Sequence, residues 1–481
     1  MQHLVKASAP SSAGRLAGGD GSRLPKRLMA ALATLTIVTA CGGGATTAPT
    51  APPATAVPAT AVAATAVPAT AVPATAVAPT AAAGGGSVTV GSYHSDKTEK
   101  AGMDAINTAF TAANGDAVKM NTVDHNTFQD QITSYLGGTP DDDFTWFSGY
   151  RMRFFAAQNL VNPIDNVWNQ VKSNYTDAFA TAVTGDDGHV YGIPVDYYPW
   201  AVFYRKSVFA AHGYTVPKTW ADLTALMTKM QSDGLIPFAF GDKDGWPAMG
   251  TFDILDLRLN GYQFHVDLLT GKEKWTDPRV TAVFNQWKQL VPFQDTAQAG
   301  LTWEQSADKV VQKTAGMYLL GLFLTSEFTN PADLADLDFF PFPTLGTQYD
   351  AENALDAPID VVMQSKKSPT LTADQATADA WLQFYAKGST QKLLFDQSPG
   401  FIPAASDADT SAYSALQTKA VQLVSSAGKI TQFLDRDSRP DFAGANGMQT
   451  FLQTFLQNPN QDLNALQTTI QKFWDQLPPA S

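Results

Sequence analysis

The hydrophobic positions after residue 86 alternate between two periods along the chain. Short runs rich in β-branched residues occupy 87–93 and 118–123, and such runs are typical of strands. Apolar residues at helical spacing follow each run, beginning at Met103 and at Phe128. This alternation predicts an α/β fold, in which helices cover the faces of a parallel sheet.

Polar and aromatic residues follow the predicted strands. In sheets of this kind ligands bind just beyond the carboxyl ends of the strands. Each such residue taken alone is more often structural, but their common position favours a ligand site. These residues are Tyr93, His94, Asp124, His125, Trp146 and Ser148.

The segment 189–206 concentrates aromatic rings around one carboxylate, Asp196. Because proline interrupts sheet ladders, Pro194 and Pro199 are expected to break what would otherwise be one long strand. A semi-rigid segment of this kind suits a sugar, since rings stack on C–H faces and a carboxylate accepts hydroxyl protons. An ordinary half-buried aromatic hairpin fits the segment equally well. The rings are Tyr191, Tyr197, Tyr198 and Trp200.

Two tryptophans in the second half of the chain have different expected environments. Trp287 lies on the apolar stripe of a helix that Pro278 opens, so we predict that it is in the core. Trp303 precedes a polar helix and is free to face a cleft. Asp253 lies within the otherwise apolar helix predicted at 251–259.

The final third of the chain is predicted to be mainly helical, with helices near 374–387, 411–425 and 463–474. A charged loop with two arginines, 433–440, lies between them. Before this region, residues 315–321 are predicted to form a buried strand. Its glycines permit close approach of a ligand or another backbone.

The amino terminus has the features of a targeting segment. Basic residues precede the apolar run 28–38, which is too short to remain as a membrane span, so residues 1–40 are predicted to be a signal peptide. Val38-Thr39-Ala40-Cys41 resembles the bacterial lipobox, and Cys41 would then be the lipidated first residue of the mature protein. An ordinary cleavage site beside an incidental cysteine is the alternative. Cys41 is the only cysteine, so disulfides are excluded.

Residues 41–86 form a predicted linker rich in alanine, threonine, proline and glycine. Residues 42–86 contain no charged side chain, and an Ala-Thr-Ala-Val-Pro-like unit repeats from Ala54 to Ala78. Recurrent proline disfavours helix and favours an extended backbone that rises about 3.1 Å per residue. The segment is therefore interpreted as a tether.

Charge and motifs narrow the possible functions. The formal net charge is −13 and no basic stripe occurs, which argues against nucleic-acid binding. The chain lacks nucleophile-elbow, phosphate-loop and metalloprotease motifs, and its histidines have no metal-ligand spacing. Carboxylates are plentiful, but no pair suggests glycoside hydrolysis. We therefore predict binding rather than turnover, with no catalytic residue, metal or cofactor.

Several motifs occur in a characteristic order along the chain. They are the lipobox, Trp146-Phe147-Ser148-Gly149-Tyr150, Tyr191-Gly192-Ile193-Pro194-Val195, Phe203-Tyr204-Arg205-Lys206 and Lys313-Thr314-Ala315-Gly316-Met317. In this order they resemble extracellular solute-binding proteins of ABC importers, in the carbohydrate-type, maltose-binding-like branch. The resemblance covers about residues 87–475. It implies a two-lobe periplasmic-binding-protein-like fold of type II, with lobes joined by crossing hinge strands and a helical C-terminal tail.

The resemblance also implies boundaries for the lobes. Lobe one would comprise 87–195 and 357–403, and lobe two would comprise 196–356 and 404–478. The first crossing would lie at 194–201 and the second near 340–359.

Family positions carried over by the resemblance, together with the residues at strand ends, give the expected ligand contacts. Either Tyr197 or Tyr198, but not both, is expected to point inward, and Leu320 is the alternative to Tyr318. The expected ligand-binding residues are His94, His125, Trp146, Ser148, Asp196, Tyr198, Trp200, Trp246, Asp253, Tyr318, Asp360 and Arg436.

The function implied by the resemblance is capture of a mono- or oligosaccharide and its delivery to an ABC transporter permease. The protein would be a monomer, tethered through Cys41 to the extracellular face of the cell membrane. A binder of another solute, such as a peptide or polyamine, a tethered glycosidase and a structural cell-wall protein are the alternatives.

Overall fold

The computed structural model describes residues 85–478. The predicted signal peptide, the lipobox cysteine Cys41 and nearly all of the predicted linker lie outside these residues. Twelve strands are present in the described part: β1 Ser87–Ser92, β2 Ala117–Thr122, β3 Asp143–Phe147, β4 Gly192–Tyr197, β5 Trp200–Arg205, β6 Ile236–Ala239, β7 Ala315–Gly321, β8 Leu337–Phe340, β9 Ala354–Asp356, β10 Ile359–Gln364, β11 Ile402–Pro403 and β12 Lys429–Thr431.

Helices account for most of the remaining regular structure. Within 85–478 they are α1 Lys97–Asn114, α2 His125–Gly137, α3 Tyr150–Ala157, α4 Asp165–Val171, α5 Asp177–Ala182, α6 Lys206–His212, α7 Trp220–Ser232, α8 Pro247–Leu269, α9 Pro278–Leu290, α10 Trp303–Val311, α11 Pro331–Asp336, α12 Leu371–Tyr385, α13 Gly388–Gln397, α14 Ala415–Ser426, α15 Leu434–Asp437, α16 Pro440–Ala443, α17 Met448–Gln457 and α18 Leu463–Gln476.

Two larger sheets organise the fold. The first has the strand order β11-β4-β10-β3-β1-β2, and β1 runs parallel to both β2 and β3. The second has the order β6-β7-β5-β8, in which β6 and β7 are parallel. The α/β class is confirmed, and the two sheets with their helices form the two-lobe architecture. A small parallel pair, β9 with β12, lies outside both sheets.

The chain passes from the first sheet to the second between β4 and β5, across Tyr198 and Pro199. The prediction that both prolines break the strand is wrong for Pro194, which lies inside β4. The ladder to β10 shifts register there, with Val361 opposite Pro194 and Asp360 opposite Asp196. A bulge of this kind accommodates a residue that has no N–H to donate. Of the two prolines, only Pro199 lies between β4 and β5.

Two other element predictions need correction. The helix expected at 251–259 extends over 247–269, but Gly261 (φ 83°, ψ 167°) kinks it. The charged loop at 433–440 contains the single-turn helix α15 and ends where α16 begins.

The hydrophobic core extends through both lobes. Trp287 is fully buried in α9, which confirms its predicted place. Thr219 caps α7 through a capping box, so the local start signal agrees with the tertiary structure. Among residues 85–478, we find no helix that combines the length and the apolar character needed to cross a membrane.

Candidate functional site

A cavity with about 750 Å³ of empty space, including its open mouth, is lined by residues from elements of both sheets. Eight of the lining residues are aromatic and six are acidic. The aromatic ones are Tyr93, Tyr198, Trp200, Trp246, Trp303, Phe323, Phe401 and Phe433, and the acidic ones are Asp96, Glu99, Asp124, Glu304, Asp360 and Asp435. The remaining lining residues are Ser95, His125, Asn126, Gln129, Pro358 and Arg436.

The starts of five helices provide much of the lining. Glu99 lies in the first turn of α1, His125 begins α2, Trp303 begins α10, and Trp246 and Phe433 immediately precede α8 and α15. Helix starts carry a partial positive charge. N–H groups at three of these starts are already bonded within the protein, because Asp124 accepts from Thr127, Thr302 from Gln305 and Asp253 from Leu434. The cavity therefore places carboxylate acceptors beside positively polarised helix starts, a combination that suits a ligand with many hydroxyl groups.

Aromatic rings form one wall of the cavity. The Trp200 ring stacks on Phe433, with centroids 4.8 Å apart and planes 25° apart, and meets Trp246 edge-on at 6.4 Å. Phe323 packs edge-on against Trp303 at 5.1 Å and against Tyr198 at 5.2 Å. Because these rings pack on one another, their faces and edges are held in fixed directions toward the cavity.

Phe433 has an unusual backbone conformation, with φ 118° and ψ 142°. For a bulky residue this region costs about 1–3 kcal/mol and persists only where the surroundings fix it. Two contacts do so here: the stack on Trp200, and the hydrogen bond from the Leu434 N–H to Asp253 Oδ2 at 2.7 Å. The strained residue thus lies in the aromatic wall itself.

Arg436 is a charged residue of the cavity lining. Its Nη1 donates to Asp360 Oδ1 at 2.6 Å, and its Nη2 donates to the Tyr198 hydroxyl at 2.6 Å. The guanidinium also lies 3.8 Å from the centre of the Phe147 ring. Burial is the largest single effect and lowers the pKa of Arg436, but Asp360, Tyr198 and Asp435 together outweigh it, so the pKa of Arg436 is raised. Arg436 and Asp360 therefore form a buried ion pair at the cavity wall.

Asp196 lies beside this pair but not on the cavity wall. It is 1% exposed, and it is opposite Asp360 in the ladder of β4 and β10. Burial, together with the neighbouring Asp360 carboxylate, raises the pKa of Asp196 well above its usual range. Burial and the adjacent Asp360 carboxylate therefore both favour the protonated form of Asp196.

Burial also sets the charge of two residues near the mouth. It lowers the pKa of His125 to about 3, and the positive charge of Arg436 acts in the same direction. The imidazole is therefore neutral, with its Nε2 2.7 Å from the amide nitrogen of Gln129. Burial, with the nearby Glu99 carboxylate, raises the pKa of Asp96 to about 7.

The structure brings half of the expected contact residues to the cavity. These six are His125, Tyr198, Trp200, Trp246, Asp360 and Arg436. Of the two neighbouring tyrosines, Tyr198 lines the cavity and Tyr197 does not. Trp303, which the sequence left free to face a cleft, also lines it.

The other six expected contacts lie behind the lining, where most of them support it. His94 is buried with its Nδ1 3.2 Å from Glu99 Oε2, so it orients a lining carboxylate. Ser148 donates to the side-chain oxygen of Gln432 at 2.7 Å. Trp146 is fully buried and stacks on Phe147 with centroids 4.7 Å apart.

Tyr318 and Asp253 belong to the second sheet's side of the molecule. The Tyr318 hydroxyl donates to the backbone oxygen of Trp303 at 3.4 Å, and both Tyr318 and its alternative Leu320 are fully buried. Asp253 accepts from the Leu434 N–H, as described above. Neither residue reaches the lining, and Asp196 does not either.

Several lining residues escaped the sequence analysis. Glu304 lies two positions after the capping residue Thr302, and Glu99 lies in a first turn, so helix-start signals were available for these positions. Phe323, Phe401 and Phe433 have no such signal. They come from short turns whose position depends on the packing of distant elements.

Comparison with known proteins agrees with this geometry. Residues 91–392 match the profile of the bacterial extracellular solute-binding proteins. The chain belongs to this family.

Proteins similar to this chain include two that are described as binding sugars. The bacterial solute receptor AcbH, described as having an exclusive preference for β-D-galactopyranose, is 40% identical, with a TM-score of 0.78 over 82% of this chain and 99% of its own. An α-glucosides-binding periplasmic protein, AglE of Rhizobium meliloti, is 24% identical over 76% of this chain and 82% of its own.

An uncharacterised ABC transporter extracellular-binding protein of Pyrococcus horikoshii is 26% identical over 61% of this chain. The match spans 64% of that relative's own length, which is less than two thirds.

Proposed function

We propose that this solute-binding protein captures a mono- or oligosaccharide between its lobes and delivers it to an ABC transporter permease. The observation that carries the proposal is the composition of the cavity, where stacked rings such as Trp200 and Phe433 line the same space as the ion pair of Asp360 and Arg436. Rings bind the C–H faces of a sugar, and charged and polar groups bind its hydroxyls. Family membership and the names of the relatives support the same interpretation.

D-Galactose is the first sugar to test, because the 40%-identical receptor AcbH is described as preferring β-D-galactopyranose. The proposed contacts are the six expected residues that line the cavity. The residues behind the lining, such as His94 and Ser148, would position the wall rather than touch the sugar.

We further propose that the lobes close on the sugar by bending at the crossing between β4 and β5. This assigns 87–195 with 357–403 to lobe one and 196–356 with 404–478 to lobe two. The change of sheet between Tyr197 and Trp200 lies within a few residues of the proposed first boundary, which falls inside β4. A sugar that contacts both lobes would favour the closed state, since it binds that state more tightly.

Anchoring is a separate part of the proposal, and it rests on the sequence. Lipidation of Cys41 would hold a monomeric receptor at the extracellular face of the membrane, with 42–86 as its tether. Replacing this residue (Cys41→Ser) should move the protein from the membrane fraction to the soluble fraction. Retention in the membrane fraction would contradict the lipid anchor.

The test of sugar binding is a titration of the purified protein with D-galactose, other monosaccharides and α- and β-linked oligosaccharides, followed by tryptophan fluorescence and calorimetry. We expect saturable binding of at least one sugar. Trp200→Ala should abolish it, whereas Trp220→Ala should not, because Trp220 is a half-buried residue outside the cavity.

The alternatives predict different results in the same experiment. Binding of a peptide or polyamine without any sugar response would contradict the carbohydrate assignment. Recovery of the oligosaccharide intact after prolonged incubation is expected, and appearance of a hydrolysis product would instead indicate a glycosidase.

A further inference from the structure

Three titratable side chains meet in the core behind the cavity wall. Asp253 and His265 belong to α8, and Asp356 ends β9; all three are fully buried. One nitrogen or oxygen atom from each lies within 4.8 Å of the others. No pattern along the chain predicts this cluster, because the residues have no metal-ligand spacing.

The kink at Gly261 makes the cluster possible. His265 Nδ1 lies 2.9 Å from Asp256 Oδ2, although the two residues are nine positions apart in α8. In a straight helix nine residues span about 13.5 Å along the axis. The non-helical φ and ψ of Gly261 reverse the path, so that the imidazole returns to the carboxylates of the first half of α8.

Three atoms of the cluster have no hydrogen-bond partner, and they lie close together. Since His265 Nδ1 is engaged by Asp256, its Nε2 is the free ring atom, and it lies 3.8 Å from Asp253 Oδ1. Asp253 Oδ2 is bonded to the Leu434 N–H, and Asp356 Oδ1 is bonded to the Thr431 hydroxyl. His265 Nε2, Asp253 Oδ1 and Asp356 Oδ2 are buried and unpartnered.

The charge of the cluster is also unbalanced. Asp253, Asp256 and Asp356 bring three carboxylates to one histidine in a region without solvent. The nearby Arg258 donates to the backbone oxygens of Ala354 and Phe342 rather than to these carboxylates. Buried carboxylates require a counter-charge or a proton. A cation bound between the three free atoms would supply that charge and occupy all three lone pairs.

We propose that Asp253, His265 and Asp356 form a structural site for one divalent transition-metal cation, Mn²⁺ or Zn²⁺. One imidazole nitrogen with two carboxylate oxygens suits these ions. Two atoms bound to one cation at about 2.0–2.4 Å lie no more than about 4–5 Å apart, which is compatible with the observed spacing. Asp256 would hold the imidazole by its second nitrogen, as metal-bound histidines commonly require.

The site would stabilise the cavity wall from behind. Asp253 accepts from the Leu434 N–H, next to the strained Phe433 and two residues before Arg436. Thr431, which contacts Asp356, lies at the start of the same segment. A cation would therefore tie the kinked α8 to the 431–436 segment, independently of which solute the cavity binds.

The experiment is refolding of the full chain with and without metal, because a buried site exchanges slowly. Protein unfolded in guanidinium chloride is refolded in EDTA, in Mn²⁺ or in Zn²⁺, freed of excess metal, and assayed by elemental analysis and thermal unfolding. We expect one equivalent of metal per chain and a melting temperature higher by about 3 °C or more than in EDTA.

Substitutions test the ligands. His265→Gln and Asp356→Asn should lose the bound equivalent and the thermal shift. Asp143→Asn is the matched control, since Asp143 is also fully buried with two unpartnered carboxylate oxygens but lies in the first sheet. It should keep both the metal and the shift.

Two outcomes would overturn the proposal. The first is wild-type protein that refolds without stoichiometric metal and has the same melting temperature under all conditions. Protons shared among the side chains, rather than a cation, would then balance the charge of the cluster. The second is full metal content in folded His265→Gln and Asp356→Asn, which would place the ion elsewhere. If these variants fail to fold, the comparison of wild-type protein refolded with and without metal still tests the proposal. No sugar is used, so failure here leaves the proposed function untouched.

Discussion

At the residue scale, Arg436 has partners from two distant parts of the chain. Asp360 holds one end of its guanidinium and the Tyr198 hydroxyl holds the other. This geometry uses the planar fork of arginine, which a lysine ammonium does not reproduce. The orientation of the whole charged wall therefore depends on the identity of this one side chain.

We expect Arg436→Lys to weaken sugar binding about 10–100-fold, because hydrogen bonds to charged groups contribute about 1.5–3 kcal/mol. Calorimetric titration measures the change. Arg439→Lys is the matched control, since Arg439 is equally buried but pairs with Asp441 outside the cavity. Equal affinity losses in the two variants would contradict a specific role for Arg436.

The position of the Trp200 ring depends on a glycine. A Cβ added at Gly250 would lie 2.3 Å from Trp200 Cζ3, so that the ring would have to move. We expect Gly250→Ala to reduce sugar affinity at least tenfold while the protein remains folded. Gly300→Ala serves as the control, because a Cβ there meets nothing within 4 Å. Unchanged binding by Gly250→Ala would show that the stacked ring is not required.

The pH dependence of stability should reflect Asp242, which is almost fully buried. Burial raises its pKa to about 8, whereas an unfolded aspartate releases its proton near 3.8. Between these values the folded state binds more protons, so raising the pH favours unfolding. We expect the melting temperature to fall as pH rises from 6 to 9, and to fall less in Asp242→Asn. An identical dependence of melting temperature on pH in the two proteins would contradict the raised pKa of Asp242.

At the element scale, the starts of helices create the site. Cavity residues precede or begin α2, α8, α10 and α15. The local signals that begin a helix therefore also place side chains in the cavity lining.

The kink of α8 is an element whose geometry rests on one residue. Gly261 has a φ of 83°, and an added Cβ would lie 2.3 Å from Tyr349 Cδ1. We expect Gly261→Ala to destabilise the protein by about 1–3 kcal/mol or more, measured by urea unfolding. Gly137→Ala, at a position with open space around the added Cβ, should change stability little. A stable Gly261→Ala variant would mean that α8 can straighten.

At the scale of the whole molecule, the cavity receives residues from elements of both sheets, so ligand binding and lobe closure should be coupled. We expect small-angle scattering to show a smaller radius of gyration when a sugar that the protein binds is added. Trp200→Ala should remain in the expanded state at the same sugar concentration. No compaction of the wild-type protein at saturating sugar would contradict closure by hinge bending.

The sequence alone determined the alternation of elements and the starts of several helices. Gly115 ends α1, the capping box of Thr219 begins α7, and apolar spacing placed Trp287 in the core, because these signals act within a few residues. The α/β class and the two-lobe arrangement followed from these elements and from the family resemblance.

Only the tertiary structure decided which side chains face the cavity. Trp146 and Trp200 are both tryptophans in or beside strands, yet one is packed in the core and the other lines the site. Phe433 and the cluster around His265 depend on a strained turn and on a kinked helix. Such positions are set by contacts between residues far apart in the chain, and local sequence patterns do not encode those distances.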